Sequence, residues 1–466
     1  MWQWKPDPSF YPSPRMAMSA PAEKLGYVAT LNYRRGRQGP DELAVVDLDS
    51  SSSSFGTVLS TLPMPVAGDE LHHFGWNACS SALCPFSPHP HLERRYLLVP
   101  GLRSSRIYVI DTKENPRKPA IVKTIEAEEI KRRTGYSRPH TIHCGPDAIY
   151  VSALGSGEDG EGPGGIFMLD HFSFDVLGPW EIDRGAQKLA YDFWWHLTED
   201  TMITSEWGRP SQFENGLVFC DLLSGEYGHH LHFWDLRRRR ILQTFDLGSE
   251  YQLVFEVRPA HDPRKTYGFV GVVLNVNDLS SSIWAWHRDH GNWAIQKVID
   301  IPAEPAEPDH LPPLLKELKA VPPFVTDIDL SLDDKFLYVS CWGTGELIQY
   351  DVSDPFRPRK TGSVHAGGIV RRASHPRGKA PLVGGPQMVE ISRDGRRVYF
   401  TNSLYGAVDD QLYPDNLAGW MVKVDVNPAG GISVDPNFFV EFGDARSHQI
   451  RLEGGDASTD TFCYPS

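Results

Sequence analysis

Leu43-Ala44-Val45-Val46-Asp47 is a short apolar run closed by an aspartate, and the chain repeats it. The pattern returns at Ile107-Tyr108-Val109-Ile110-Asp111, Ile166-Phe167-Met168-Leu169-Asp170 and Leu231-His232-Phe233-Trp234-Asp235. It returns again at Ser282-Ile283-Trp284-Ala285-Trp286, Leu347-Ile348-Gln349-Tyr350-Asp351 and Met421-Val422-Lys423-Val424-Asp425, making seven copies. Runs rich in β-branched and aromatic residues, bounded by turn residues, read as strands. A period of roughly sixty residues marks a repeat architecture. The aspartate closing six of the seven copies suits an Asx-turn that satisfies the following backbone.

Working outward, most copies follow a partner strand, such as Tyr96–Val99, Ala148–Val151, Phe336–Val339 or Val398–Phe400. An outer strand comes after them, as at Thr57–Leu62, Ile121–Ile125 and Ile241–Leu247. Repeated antiparallel sheets of this kind predict an all-β, seven-bladed β-propeller. No Gly-His/Trp-Asp signature recurs, so it is a non-WD propeller. It occupies residues 23–466 as one domain, behind an extended Pro- and aromatic-rich arm over 1–22. Short helices are expected in two loops, at Ile125–Arg133 and Leu314–Lys319. Arg237-Arg238-Arg239-Arg240 reads as a solvated hairpin tip, and Gly155–Gly160 as a hairpin without a dinucleotide role.

The fourth strand of each blade lines the central channel. Its candidates are His72–Trp76, Pro139–His143, Tyr191–Trp194, Phe255–Arg258, Thr326–Asp329, Pro386–Val389 and Ser447–Ile450. The last lies at the C-terminus with no strands after it. It is therefore expected to close the ring as the inner strand of the N-terminal blade, which removes exposed sheet edges. Three consecutive inner strands then carry His448, His72/His73 and His140/His143, and the next three carry Asp192, Glu256 and Asp327.

Converging imidazoles suit Cu, Zn, Fe or Ni, so His72, His73, His140, His143 and His448 are candidate metal ligands. Adjacent residues of a regular strand point to opposite faces. His72 and His73 can act together only if their strand starts irregularly, and His140 with His143 needs a bulge. The carboxylates Asp192, Glu256 and Asp327 are candidates to orient imidazoles or move protons. Cys79 is either a small buried apolar residue or a reactive thiol. His230 is a further candidate for the channel face. Trp194, Trp195 and Trp207 read as blade core.

Lys and Arg total 46 against 60 Asp and Glu, a net charge of −14. That balance excludes binding to a nucleic-acid backbone as the main role. No run of about 18 apolar residues predicts a membrane span. The N-terminus lacks a basic segment followed by an apolar one. The six cysteines, at 79, 84, 144, 220, 341 and 463, are scattered. The expectation is a cytoplasmic protein with mainly reduced thiols.

Several segments together resemble the selenium-binding proteins, a family that includes methanethiol oxidases. They are Leu62–Pro65, Asp69–Ser81, His140-Thr141-Ile142-His143-Cys144, Tyr191–Trp194, Leu330–Tyr338, Gly384–Met388 and Arg451–Asp456. The resemblance implies a seven-bladed propeller. It also implies copper-dependent oxidation of methanethiol by dioxygen to formaldehyde, hydrogen sulfide and hydrogen peroxide. The five histidines match the family's copper ligands, and Cys79 matches the cysteine linked with selenium. Ala82 and Ala457 stand where the family often has cysteine, which weakens a thiol-pair role and leaves the histidines untouched. The expected partners are a small thiol and dioxygen. The alternatives are a non-catalytic protein binding selenium or thiols through Cys79, and hydrolysis at a divalent ion in the same channel.

Overall fold

All seven marker strands lie third from the axis in four-stranded antiparallel sheets. The computed structural model describes residues 5–34, 37–85, 87–373, 375–376 and 381–466. Each sheet is one propeller blade. In blade 4, for example, Phe193–His196, Thr201–Thr204, His230–Asp235 and Arg240–Asp246 run from the channel outward. The closing aspartates behave as the repeat implied. Asp47, Asp111, Asp170, Asp235 and Asp351 each accept a hydrogen bond through Oδ1 from the backbone N–H two residues on. Asp425 instead pairs with Lys423 Nζ at 2.7 Å.

The C-terminal strand closes the ring. Arg446–Leu452 pairs antiparallel with Leu25–Leu31, setting Gly26 opposite Leu452 and Val28 opposite Ile450. Leu25–Leu31 pairs on its other side with Pro40–Asp47. Blade 1 therefore joins the two ends of the chain, with its inner strand supplied from the C-terminus.

The sheets pack on one another through wholly buried aliphatic and aromatic side chains, such as Leu98, Ile107, Ile142 and Val151 between blades 2 and 3. Each such side chain removed from water contributes about 1.5–3 kcal/mol. Gly75 is required at this interface. A Cβ there would collide with the Ile142 carbonyl oxygen, so glycine lets the inner strands of blades 2 and 3 approach at the channel wall.

The expected helices are present, as Ala127–Thr134 and a 3₁₀ segment at Pro313–Leu318. Three more, Pro210–Phe213, Phe219–Leu223 and Gly406–Leu412, sit in long connections within blades 4 and 7. The first four residues of the arm lie outside the described residues. The remainder is not wholly extended: it forms a helical turn at Pro14–Met18 and buries Phe10 against Ala78, Ala82 and Leu92. Arg237–Arg240 turns blade 4's outer hairpin as expected.

The thiol expectation needs correction. Cys79 pairs with Cys144, and Cys84 with Cys463, in disulfides; Cys220 and Cys341 are free. The spacings of 65 and 379 residues hide these pairings from the sequence, because Cys79 and Cys144 meet only where blades 2 and 3 pack together, and Cys84 and Cys463 only once the ring closes. No helix among the described residues is long and apolar enough to cross a membrane.

Candidate metal centre

The inner strands are regular enough to line a channel and irregular where the polar residues stand. Before Gly75–Trp76, the chain makes one bridge, Leu71 opposite Gly101. It is held there by side chains as well as ladder bonds. Leu71 N–H donates to Asp41 Oδ2 at 3.1 Å, and Gly406 N–H donates to Glu70 Oε1 at 2.7 Å. Glu70 itself has φ 56°. This break in alternation turns both His72 and His73 inward, with ring centroids 4.9 Å apart.

The other two histidine strands carry bulges. In Tyr136–Cys144 the register shifts between Pro139 and Ile142, around His140. In Arg446–Leu452 the residues between Ser447 and Ile450 oppose one fewer on Leu25–Leu31, around His448. A bulge inserts an extra residue and re-aims its side chain. The strand bearing Glu256 shifts likewise between Val254 and Val257.

These irregularities gather four imidazoles. One potential ligand atom each from His72, His73 and His448 lies within 4.8 Å of the other two. The ring of His448 stacks on His72 at 4.1 Å. The His140 ring lies 4.6 Å from that of His72 and 4.3 Å from that of His73. All four are at most 1% exposed. The Nε2 atoms of all four, and Nδ1 of His72, have no hydrogen-bond partner among the described residues. By contrast, His448 Nδ1–H donates to the Ser403 carbonyl at 2.8 Å. That bond fixes the tautomer and leaves Nε2 as a lone pair, the usual support for a metal-binding imidazole. Burial pushes the pKa of His140 down to about 3 and that of His448 to about 4. The rings are thus neutral; the ligand atoms of His72, His73 and His448 converge, and the His140 ring borders them with its own Nε2 unpartnered among the described residues. Such orphaned groups are costly, and a borderline transition ion is the ligand whose chemistry matches them.

His143 is not brought into this group. Its Nε2 faces Asp192 Oδ1 at 3.9 Å, and its ring packs on Phe193 and Trp194. The extra residue at the bulge serves His140, and His143 enters the next layer of the channel. His230 is farther still, in blade 4's third strand.

That next layer is charged. Arg258 is 4% exposed and meets four carboxylates: Asp192 at 3.2 Å, Glu256 at 3.0 Å, Asp327 at 3.4 Å and Asp329 at 3.5 Å. Glu256 Oε1 also lies 3.5 Å from His73 Nδ1, linking the two layers. Burial raises the Asp192 carboxyl, but His143 and Arg258 pull it down further, to about 2. Burial, reinforced by the charge of Asp192, lifts Glu256 well above the carboxylate range. Burial lifts Asp327 to about 7 and Asp329 to about 8, against the pull of Arg258. Asp327 Oδ2 accepts from Val389 N–H at 2.6 Å and belongs with Arg258 instead of with a histidine. Farther round, Arg451 joins Glu390 Oε2 at 3.0 Å and the Phe74 carbonyl at 2.9 Å.

Arg258 and Asp329 were not among the sequence candidates. The signal was available: each stands two residues after a chosen carboxylate, and residues i and i+2 share a strand face. Trp207 also changes role. With Tyr191, Phe255 and Tyr405 it covers the histidine end of the channel. Tyr191 lies 4.4 Å from the His140 ring and stacks on Phe255 at 4.1 Å, and Trp207 meets Tyr191 edge-on at 5.7 Å. The connections at 210–223 and 406–412 extend this apolar cover with Phe213, Leu222, Val408 and Leu412.

Cys79 stands apart from the histidines. Its partner Cys144 is four residues past His140 on the inner strand, roughly 10–13 Å farther along at the rise of a strand. Within a disulfide, Cys79 offers no thiolate.

Comparison with known proteins agrees over the full chain. The family model described as 56kDa selenium binding protein (SBP56) matches residues 4–463. Selenium-binding protein 3 of Arabidopsis thaliana is 40% identical over 475 residues, covering 97% of this chain and 96% of that protein. A methanethiol oxidase of Xenopus laevis is 39% identical over 477 residues, with 97% of both chains covered. The human methanethiol oxidase is 39% identical over 477 residues, again with 97% of both chains covered. Among solved structures, a hypothetical selenium-binding protein from Sulfolobus tokodaii superposes with a TM-score of 0.96 at 59% identity, covering 98% of this chain and 100% of that one. A Pseudomonas aeruginosa periplasmic gluconolactonase, at 11% identity and a TM-score of 0.56, shares the fold alone. With the family model matched from residue 4 to residue 463 and relatives near 40% identity along almost all of their length, the chain belongs to the 56 kDa selenium-binding protein family.

Proposed function

We propose that this protein is a methanethiol oxidase-like enzyme. In this reading it oxidises a small thiol with dioxygen at a copper ion held by His72, His73, His140 and His448. The observation that carries the reading is the set of four buried imidazoles whose Nε2 atoms all lack a partner among the described residues. The name methanethiol oxidase on relatives at 39% identity supports the reaction class. The balanced reaction is CH₃SH + O₂ + H₂O → HCHO + H₂S + H₂O₂. A bound copper would supply one-electron redox chemistry toward the thiol and dioxygen.

The chain's own residues have separable tasks. The Ser403 carbonyl orients the His448 ring, and Glu256 stands beside His73 Nδ1. Glu256, whose carboxyl burial and the charge of Asp192 push well up, stands 3.5 Å from His73 Nδ1 and is the residue assigned to give or accept a proton at the site. Arg258 keeps the neighbouring carboxylates in place. The cover of Tyr191, Trp207, Phe255 and Tyr405 excludes bulk water. An apolar cavity of about 20 Å³ bordered by Trp207, Phe255, Leu404 and Trp342 adjoins this cover.

The test is copper content together with product. Wild-type protein should hold one copper per chain and release hydrogen sulfide from methanethiol. His140→Ala and His448→Ala should each lose most of the copper and at least ~100-fold of the activity, the scale on which metal sites respond to lost support. Protein that turns over methanethiol equally well in both variants would refute the reading.

A further inference from the structure

We propose a second transition-metal site on the outer part of blade 4, formed by His229, His230 and Asp246. His230 and Asp246 are directly opposed across the two outer strands of the blade, and His229 is adjacent in sequence. One potential ligand atom from each residue lies within 4.8 Å of the other two. His229 Nε2 already faces Asp246 Oδ1 at 3.7 Å. The two rings lie 4.3 Å apart.

The surrounding bonds prepare both imidazoles as ligands. His229 Nδ1–H donates to the Tyr227 carbonyl at 3.0 Å, and His230 Nδ1–H donates to Glu206 Oε2 at 3.0 Å. Each bond fixes the proton on Nδ1 and leaves Nε2 as a lone pair, the carbonyl–histidine and carboxylate–histidine support seen at metal sites. Glu206 is itself held, because its Oε1 accepts from His232 Nε2–H at 3.0 Å and its Oε2 also accepts from the His230 backbone N–H at 3.2 Å. Glu206 is 3% exposed, so a buried carboxylate stands behind a half-buried ligand.

The site opens onto a surface cavity of about 650 Å³, lined in part by Glu206, His229, His230 and His232. Two imidazoles and one carboxylate occupy one side of an ion and leave its other positions to that cavity. Nitrogen ligands select Zn²⁺, Cu²⁺, Ni²⁺ or Co²⁺ over Mg²⁺ and Ca²⁺. The site is solvent-facing and uses none of the channel residues, so ion exchange should be fast here and slow at the covered channel histidines.

Zn²⁺ titration against a competing indicator, using purified full-length chain, tests this. Wild type should bind one more equivalent in the micromolar range than His229→Ala or Asp246→Asn. Glu206→Gln should retain the equivalent at about tenfold weaker affinity. His448→Ala, altered only in the channel, should keep it. Co²⁺ used in place of Zn²⁺ should give a rapidly forming ligand-field absorption that survives in His448→Ala and is lost in His229→Ala. Circular dichroism melts confirm that the surface variants are folded. Superimposable titrations of wild type, His229→Ala and Asp246→Asn would overturn the proposal, as would an extra equivalent appearing only at millimolar ion.

Discussion

Arg258 stands among Asp192, Glu256, Asp327 and Asp329, and all five side chains are buried. Removing one partner from a buried ionic group leaves uncompensated charge and costs about 3–5 kcal/mol. Arg258→Met should therefore lower unfolding stability by that amount in urea titrations, whereas an exposed control such as Arg238→Met should change it by less than about 0.5 kcal/mol. At this scale the sequence was informative about the histidines, since three neighbouring inner strands all carry imidazoles toward one end of the channel. It was silent about which of them meet. His143 fell outside the cluster because the bulge between Pro139 and Ile142 advances the strand by one residue at His140. Bulges depend on how two strands share a wall, and no local pattern records that.

Strands and their joints carry the next level. The Asp-closed runs made the blades legible, because each combines apolar alternation with a turn-forming aspartate. The covering helices at 210–223 and 406–412 were not legible: they are short and derive their stability from packing over the channel end. The disulfides were missed for the opposite reason: their partners are far apart in sequence, Cys79 and Cys144 meeting across blades 2 and 3, and Cys84 and Cys463 only once Arg446–Leu452 has joined Leu25–Leu31. Cys84–Cys463 clasps the tail that follows this closing strand. Restricting so long a loop in the unfolded chain contributes about 2–4 kcal/mol. Cys463→Ser should thus lower the melting temperature under non-reducing conditions, and dithiothreitol should bring wild type down toward the variant. A wild-type melt indifferent to reductant would contradict that role.

The whole molecule is a ring whose centre mixes neutral imidazoles with carboxylates held at different pKa values, and its stability should follow pH accordingly. Asp327 and Asp329 are lifted by burial to about 7 and about 8. A raised carboxylate binds its proton more tightly in the folded state. Its contribution is complete below the ordinary carboxylate range and is lost as pH rises through the folded value. The buried histidines act in the reverse sense, but only below the ordinary imidazole value of about 6.5. Between pH 6.5 and 8 the carboxylates dominate, so the urea midpoint should fall, and Asp329→Asn should flatten the fall. A midpoint that rises over this interval would show that the carboxylates are ionised throughout.

The proposed copper site joins His72, His73, His140 and His448 from three neighbouring inner strands around one ion. Anomalous diffraction at the copper edge, from crystals of copper-loaded protein, tests it most directly. A single channel peak is expected within bonding distance of the Nε2 atoms of these histidines, absent in His448→Ala. A channel without that peak, or a copper bound at Cys79 instead, would contradict it.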